Sequence, residues 1–427
     1  MEIKEKIDNT NLRLEAEAKN IPLIAFLMDK IKQLSVKENI NHTLFAVCPN
    51  SESVLRAALR AAKRADAPVL FAATLNQVDI DKGYTGWVQK DLVQKINEES
   101  YRIGFEGTTI ICVDHGGPYV KDIQTIEKWS LDKAMSWVKK SFEAAVLAEY
   151  DLLHIDPTVD IFIKNIDIKT VANRTLELIS HIENFRRNKK IKPVSYEVGT
   201  EEVHGGLADM QVFKEFLELL KNGLKKEKLS SAWPVFIVAK VGTDLQTSTF
   251  DPEVAKKVVD IACSYGSYIK GHYTDFVTNL SAYPESGIGA ANVGPEFTVL
   301  EYEALDKLCK IEDDFYDKNK VSVKSNFKEI LEKAVFNSGR WKKWLEKGEE
   351  DFDSLDKERK EFIVKTSCRY VWANPEVKAA QNDLYRNMSG NGIDADSWVL
   401  MNIEAGMDKY FREFNLIGLD KKINQSV

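Results

Sequence analysis

The sequence predicts an α/β protein: a (β/α)8 TIM barrel carrying a mostly helical C-terminal extension. Eight short apolar runs, rich in β-branched residues and with little alternation, take turns with helical periodicity between residues 43 and 308. That is the pattern of buried parallel strands joined by helical crossovers. The polar residues that break these runs all fall at their C-terminal ends, and a closed barrel gathers such residues on one rim. An open doubly wound sheet, the main rival, would bring together only those beside one crevice. From Lys310 onward the chain changes character, becoming highly charged, nearly free of strand signals and rich in tryptophan (Trp341, Trp344, Trp372, Trp398). The expected division of the 427 residues is therefore a barrel domain over 1–310 and a helical extension over 311–427.

A polar helix is expected over 8–18. A second begins with Pro22, a residue suited to a first helical turn, and runs to 36 on the apolar stripe Leu23, Ile24, Phe26, Leu27, Ile31 and Leu34. Strands are expected over 43–47, 68–75, 108–113, 152–155, 192–198, 234–241, 267–270 and, more weakly, 288–293. Ser51 can cap the helix after the first strand, and Asp251 with Pro252 at the first helical position opens the one after the sixth. The other crossover helices are expected to end by Tyr101 after the second strand and to cover 130–148, 169–186 and 209–222; a last helix follows the eighth strand to 308. The seventh crossover, over 276–287, is the least regular. In the tail, helical periodicity returns near Phe327 and Phe362, and its tryptophans read as core or interface anchors, giving that region a structural role.

With 44% hydrophobic and 29% charged residues the chain has material for a large core. Its net charge of −7 and dispersed basic residues exclude nucleic acid as a partner. Five cysteines, Cys48, Cys112, Cys263, Cys309 and Cys368, are odd in number and lack metal-finger spacing, so reduced thiols in a cytoplasmic protein are expected. The polar first 20 residues carry no secretory segment, and no apolar run reaches the roughly 20 residues needed to span a bilayer, so no membrane partner is expected.

The chemistry gathers at the strand ends. The third strand stops at Asp114-His115-Gly116-Gly117-Pro118. Neighbours on an extended strand point to opposite faces, so the acid and the imidazole are expected to take separate jobs, metal ligand and proton carrier. The glycines are expected to let backbone and substrate come close. Other strand ends contribute Asn76, Asp156, Glu201, Glu202, His204, Asp244, His272 and Asp275. Of six histidines, His115, His204 and His272 lie just after strands; His154 lies within one and reads as a packed histidine, and His42 and His181 receive no role. Two or three imidazoles with carboxylates suit a divalent ion, Zn2+ first and Mn2+ or Co2+ next. Such an ion would polarise a carbonyl and stabilise an enediolate while a carboxylate moves protons. The alternative is a set of independent caps and turn residues.

An ordered set of stretches carries a family resemblance: Lys82-Gly83-Tyr84-Thr85-Gly86, Asp114-His115-Gly116-Gly117-Pro118, Val198-Gly199-Thr200-Glu201, His272-Tyr273-Thr274-Asp275, Asn292-Val293-Gly294-Pro295, Trp341-Lys342-Lys343-Trp344 and Arg369-Tyr370-Val371-Trp372-Ala373-Asn374-Pro375. Together they resemble the so-called non-catalytic subunit of class II tagatose-bisphosphate aldolases, a family that includes ketose 4-epimerases. The resemblance implies a barrel with a helical extension, an acid/base Asp114, and His115 and His272 as metal ligands. Asp244 would replace a histidine near the end of the sixth strand, and Glu201 would serve as ligand or base, with Glu202 or Asp275 as its substitute. Asn76, Asp156, Glu202 and Asn292 are expected to bind substrate. The chain departs from the aldolases in lacking the Gly-Gly-Ser-Gly phosphate loop after His272, which weighs against a bisphosphate substrate. It departs from close family members at Val113 and Gly116. The implied function is metal-dependent 4-epimerisation of a ketohexose or its phosphate, of the tagatose and fructose type, by retro-aldol and aldol steps. The alternatives are a non-catalytic subunit that stabilises a class II aldolase, and, more weakly, a true aldolase. The expected partners are a sugar or sugar phosphate and either a second copy of the chain or an aldolase subunit.

Overall fold

A computed structural model describes residues 11–199, 209–243, 249–346 and 348–425. The barrel elements follow in strict alternation. Two helices, α1 (Asn11–Ala18) and α2 (Leu23–Glu38), precede β1 (Leu44–Val47). Then come α3 (Glu52–Ala65), β2 (Val69–Thr74), α4 (Gln89–Ile103), β3 (Thr109–Gly116), α5 (Asp122–Ile126), α6 (Leu131–Leu147), β4 (Leu152–Ile155), α7 (Ile168–Asn188) and β5 (Ser195–Gly199). The second half holds α8 (Met210–Lys226), β6 (Phe236–Val238), α9 (Pro252–Ser264), β7 (Tyr268–Gly271), α10 (Ala282–Ser286), β8 (Ala290–Val293) and α11 (Pro295–Asp317). The strands form one closed parallel barrel in sequence order, shut by β1 against β8 with Phe45 opposite Ala291 and Val47 opposite Val293.

Local chemistry explains the alternation. The strands are buried on both faces, which accounts for their unbroken apolar runs. Side-chain oxygens of Ser51, Ser130, Asp167, Asp209 and Asp251 accept backbone N–H groups at the starts of five helices, satisfying donors that the first helical turn leaves free. The irregular seventh crossover holds only the five-residue α10. At the N-terminal end of the barrel, Arg13 of α1 forms a buried ion pair with Asp151, at 2.6 Å, and donates to the Thr109 carbonyl. That contact ties the first helix across β3 and β4.

The third strand departs from expectation. It runs three residues beyond Val113 and takes in Asp114, His115 and Gly116. Its register against β4 slips between Val113 and Gly116, and His115 has φ of +47°. This is a bulge, and it undoes the strict alternation of side chains. The two glycines serve packing inside the protein. A Cβ on Gly116 would lie 2.3 Å from the Phe142 ring, and one on Gly117 would lie 1.8 Å from the Asp156 carbonyl oxygen. The close neighbours are therefore α6 and the end of β4, not a substrate.

The extension contains α12 (Phe327–Ser338), α13 (Lys357–Ser367), α14 (Pro375–Ser389), α15 (Ala395–Glu413) and α16 (Leu419–Gln425). Tyr410 of α15 stacks on Phe45 of β1 with ring centroids 5.0 Å apart, and Phe411 meets the same ring edge-on at 5.2 Å. The Tyr410 hydroxyl donates to Glu296 at 2.6 Å. Trp341, Trp344 and Trp372 are buried as expected, whereas Trp398 is exposed. No helix among the described residues is long and apolar enough to cross a membrane.

A chain ending at Lys310 is expected to be insoluble, because it cuts α11 short and uncovers Phe45 and Phe297. A monodisperse 1–310 fragment that melts cooperatively would show that the barrel does not need the extension.

Candidate metal centre and cavity

Side chains from β3, β4, β5, β7 and β8 meet inside the C-terminal end of the barrel. His115 and His272 approach with Nε2 and Nδ1 3.0 Å apart. Each ring's other nitrogen is fixed: His115 Nδ1 meets Asp156 Oδ2 at 2.5 Å, and His272 Nε2 meets Glu197 Oε1 at 2.9 Å. Asp114 Oδ1 accepts from the Asn292 amide at 3.0 Å and lies 3.5 Å from His154 Nδ1. Beneath them, Lys270 and Glu197, both fully buried, form an ion pair at 2.7 Å. One ligand atom from each of Asp114, His115, His154 and His272 falls within 4.8 Å of the others.

Charges in this space are strongly coupled. Burial pushes the His115 imidazolium down, but Asp114, Asp156 and Glu197 more than offset it and bring its pKa up to about 9. For His272, burial together with the nearby His115 and Lys270 cations outweighs its carboxylate neighbours, and the pKa falls to about 4. Burial alone would raise the carboxyls. The histidines and Lys270 overcome it, holding Asp114 well below the usual range and Glu197 at about 2. At neutral pH His115 is therefore cationic and His272 neutral. The His272 Nε2–H donates to Glu197, so its Nδ1 accepts the Nε2–H of His115. A single proton holds the two rings together.

This donor set fits a divalent ion. Two cis nitrogen ligands at about 2 Å from a metal lie about 3 Å apart, and the observed nitrogens have that spacing once the proton between them leaves. Asp156 and Glu197 are the carboxylates that orient ligating imidazoles from behind. The Nε2 of buried His154 has no hydrogen-bond partner among the described residues, and its Nδ1 accepts the His115 backbone N–H.

The centre opens into a cavity of about 230 Å³. Asp114, His115 and His272 form one wall. Arg340, Arg369 and Tyr370 of the extension also line the cavity, so the tail does more than pack against the barrel.

Residues 28–401 match the family model described as D-tagatose-1,6-bisphosphate aldolase subunit GatZ/KbaZ-like. The chain belongs to this GatZ/KbaZ-like family. It is similar to the D-tagatose 6-phosphate 4-epimerase of Agrobacterium fabrum, 25% identical over 82% of this chain and 84% of that protein. It is equally similar to the D-tagatose-1,6-bisphosphate aldolase subunit GatZ of Escherichia coli, 26% identical over 82% of this chain and 85% of that protein. Among solved structures, a probable tagatose 6 phosphate kinase from Sinorhizobium meliloti shares the fold with TM-score 0.73 and 22% identity, covering 87% of this chain and all of that one. A fructose-bisphosphate aldolase from Campylobacter jejuni shares it with TM-score 0.53 and 11% identity, covering 92% and 94% of the two chains.

Within this family fold the sequence-derived residues separate. Asp114, His115, His272, Asp275, Asn76 and Asn292 line the cavity. Asn292 faces Asp114, whereas Asn76 is tied to the Val120 carbonyl and to Asp122. Asp156 is buried behind His115 and bonded to Thr158, a support for the ring. Glu201, Glu202, His204 and Asp244 lie outside the described residues. Asp114 and His115 do not face apart: the bulge turns both toward the same centre. Glu197, Lys270 and the role of His154 escaped the sequence reading. A charged or imidazole side chain in the middle of an apolar strand was the available signal, since Glu197 sits between Tyr196 and Val198 and Lys270 follows Ile269.

Two outcomes follow from this arrangement. Loading Zn2+ at pH 7 is expected to release about one proton, because the ion must displace the one on His115, and apparent affinity is expected to rise as pH climbs toward 9. Calorimetry in buffers of different ionisation enthalpy measures the release; none at pH 7 would count against the shared proton. Glu197→Gln leaves buried Lys270 with only the more distant Asp114, 3.9 Å away, as counter-charge and is expected to cost up to about 3–5 kcal/mol of stability. Adding Lys270→Met is expected to recover stability in denaturant titrations but not metal affinity, which also depends on Glu197 orienting His272.

Proposed function

We propose that this member of the GatZ/KbaZ-like family is a metal-dependent 4-epimerase of a ketohexose or ketohexose phosphate of the tagatose and fructose type. The observation that carries the reading is an ionised Asp114 beside two imidazole nitrogens 3.0 Å apart at the wall of a cavity. His115 and His272 would hold the ion, with Asp114 or His154 nearest among the described residues and Glu201 or Asp244 as further candidates. Zn2+ is the first choice, with Mn2+ or Co2+ next, given the mixed nitrogen and oxygen donors. When bound, such an ion supplies Lewis-acid polarisation of the ketose carbonyl.

The protein's own groups then have defined tasks. Asp114, a base held ionised by its cationic neighbours, takes the C4-hydroxyl proton as the C3–C4 bond breaks. That leaves a three-carbon enediol-type fragment and an aldehyde. The aldehyde turns within the cavity, C3 adds to its other face, and an acid returns the proton to the C4 oxygen. Asp275, which lines the same cavity, is the candidate for that return. Burial, with the nearby Glu296 charge, raises its pKa to about 6 against the pull of the Gly294 and Glu296 N–H groups it accepts, and a value near neutrality suits proton transfer in both directions. Glu201 is the alternative carboxylate. The five cysteines are unpaired, which supports a cytoplasmic setting.

A second reading, a stabilising subunit of a class II aldolase, is favoured by the similarity to the Escherichia coli GatZ subunit. The two readings separate when the purified protein, stripped by chelator and reloaded with Zn2+, Mn2+ or Co2+, is incubated alone with ketoses and ketose phosphates. Formation of the C4 epimer supports the first; a metal-loaded protein inert toward all of them supports the second. Asp114→Asn is expected to keep fold and metal while turnover falls by roughly 10²–10⁴-fold, whereas His115→Ala loses the metal too. Near-normal epimerisation by Asp114→Asn would remove Asp114 from the proton path.

A further inference from the structure

We infer that the C-terminal extension supplies an anion subsite to the cavity, centred on Arg369, which takes the phosphate of a phosphorylated ketose. The inference rests on the reading that a ketose occupies this cavity.

Arg369 lines the cavity and is 8% exposed. Its Nη2 donates to the Tyr370 hydroxyl at 2.9 Å, its Nη1 has no hydrogen-bond partner among the described residues, and the guanidinium lies 5.2 Å from the Trp344 ring centre and 4.9 Å from that of Tyr370. No carboxylate pairs with it among the described residues. Asp275, on the same cavity, uses Oδ1 to accept two backbone N–H groups. A guanidinium cannot shed its charge by deprotonation, so a buried and unpaired one is costly unless an anion arrives.

Its neighbours point the same way. Arg340 and Lys343 also line the cavity, and both pair with a single carboxylate, Asp122, at 2.6 and 2.5 Å. The three cations therefore face two carboxylates, Asp122 and the Asp275 that feels the Arg369 charge without forming an ion pair with it, and one positive charge is left over at neutral pH. A phosphate monoester brings close to two negative charges and three acceptor oxygens, and arginine meets such oxygens with two parallel donors. A carboxylate shares the anionic chemistry but brings one charge and two acceptor oxygens to a site lined by three cations. The candidate metal centre lines the same cavity, so a ketohexose phosphate would present its carbonyl end to the histidines and its phosphate to the extension.

The test uses the full-length, Zn2+-loaded protein with D-tagatose 6-phosphate, D-tagatose, the corresponding keto-uronate and inorganic phosphate as probes. Wild type is expected to bind the phosphorylated ketose most tightly, with inorganic phosphate competing. Arg369→Gln is expected to weaken the phosphorylated ketose by roughly 10- to 100-fold, the range for a lost charge-assisted hydrogen bond, and the free ketose at least tenfold less. Arg369→Lys should restore part of the selectivity, and the metal content of each variant reports its fold. Equal losses for both sugars, no competition by phosphate, or preference for the uronate would overturn the phosphate subsite. If Arg369→Gln does not fold, wild-type selectivity and the Arg369→Lys variant decide. Selective loss of binding in a protein that epimerises neither sugar would sustain the subsite and defeat the epimerase reading.

Discussion

The upper half of the barrel interior depends on one constraint: two buried carboxylates, Asp114 at the cavity wall and Glu197 beneath it, are held ionised. Taking such a charge out of water costs several kcal/mol per ion unless a partner of opposite sign is fixed beside it. Lys270 provides that partner for Glu197, and the imidazoles provide it for Asp114. Because the partners come from β3, β4, β5 and β7, the charge balance cannot be met by any two adjacent strands. It requires a closed barrel. The same balance sets the tautomer of His272 and the charge of His115, so the candidate metal centre and the stability of the barrel interior share the same residues.

The bulge in β3 is what lets neighbouring residues act together. In a regular strand Asp114 and His115 would face opposite sides. The left-handed backbone at His115, an uncommon state for a residue with a side chain, brings the ring back toward the interior. Such a conformation costs of order 1 kcal/mol or more and persists only where the surroundings impose it. Here they are visible: the His115 N–H donates to His154, its Nδ1 is gripped by Asp156, and Gly116 and Gly117 fit against Phe142 and the β4 backbone. Tyr273 and Phe276, beyond the end of β7, also have positive φ. Backbone departures thus gather at the rim where the chemistry sits.

How far the sequence alone could be read follows from these contacts. Strand order and helix starts were legible because burial on both faces leaves unbroken apolar runs and because serine and aspartate caps are local. The centre was partly legible, since His115 and His272 follow strands. The bulge was not, because it arises from packing between β3 and β4 rather than from any feature of residues 113–116 read alone. Glu197 and Lys270 left a signal, a single charge inside an apolar strand, but their pairing was hidden because only closure of the barrel brings the two residues together. The extension misled more strongly. Its tryptophans advertised a core, and Trp341, Trp344 and Trp372 deliver one, but the arginines and lysine interleaved with them gave no sign that they turn toward the cavity.

That interleaving also explains why barrel and extension form a single working unit. Trp344 packs in the tail's core and lends its ring to the Arg369 guanidinium. Arg340 and Lys343 reach across to Asp122 of α5, an element of the barrel. An aromatic framework of this kind lets a buried cation keep its position without a carboxylate that would cancel its charge. A phosphate held by cations of the tail would place the sugar's far end against a surface that the barrel lacks, while the barrel retains the groups that move protons. The proposed division has a physical basis: proton transfer at Asp114 would need the closed interior that eight strands enclose, whereas recognition of a phosphate would need spare positive charge, which the balanced barrel interior does not have.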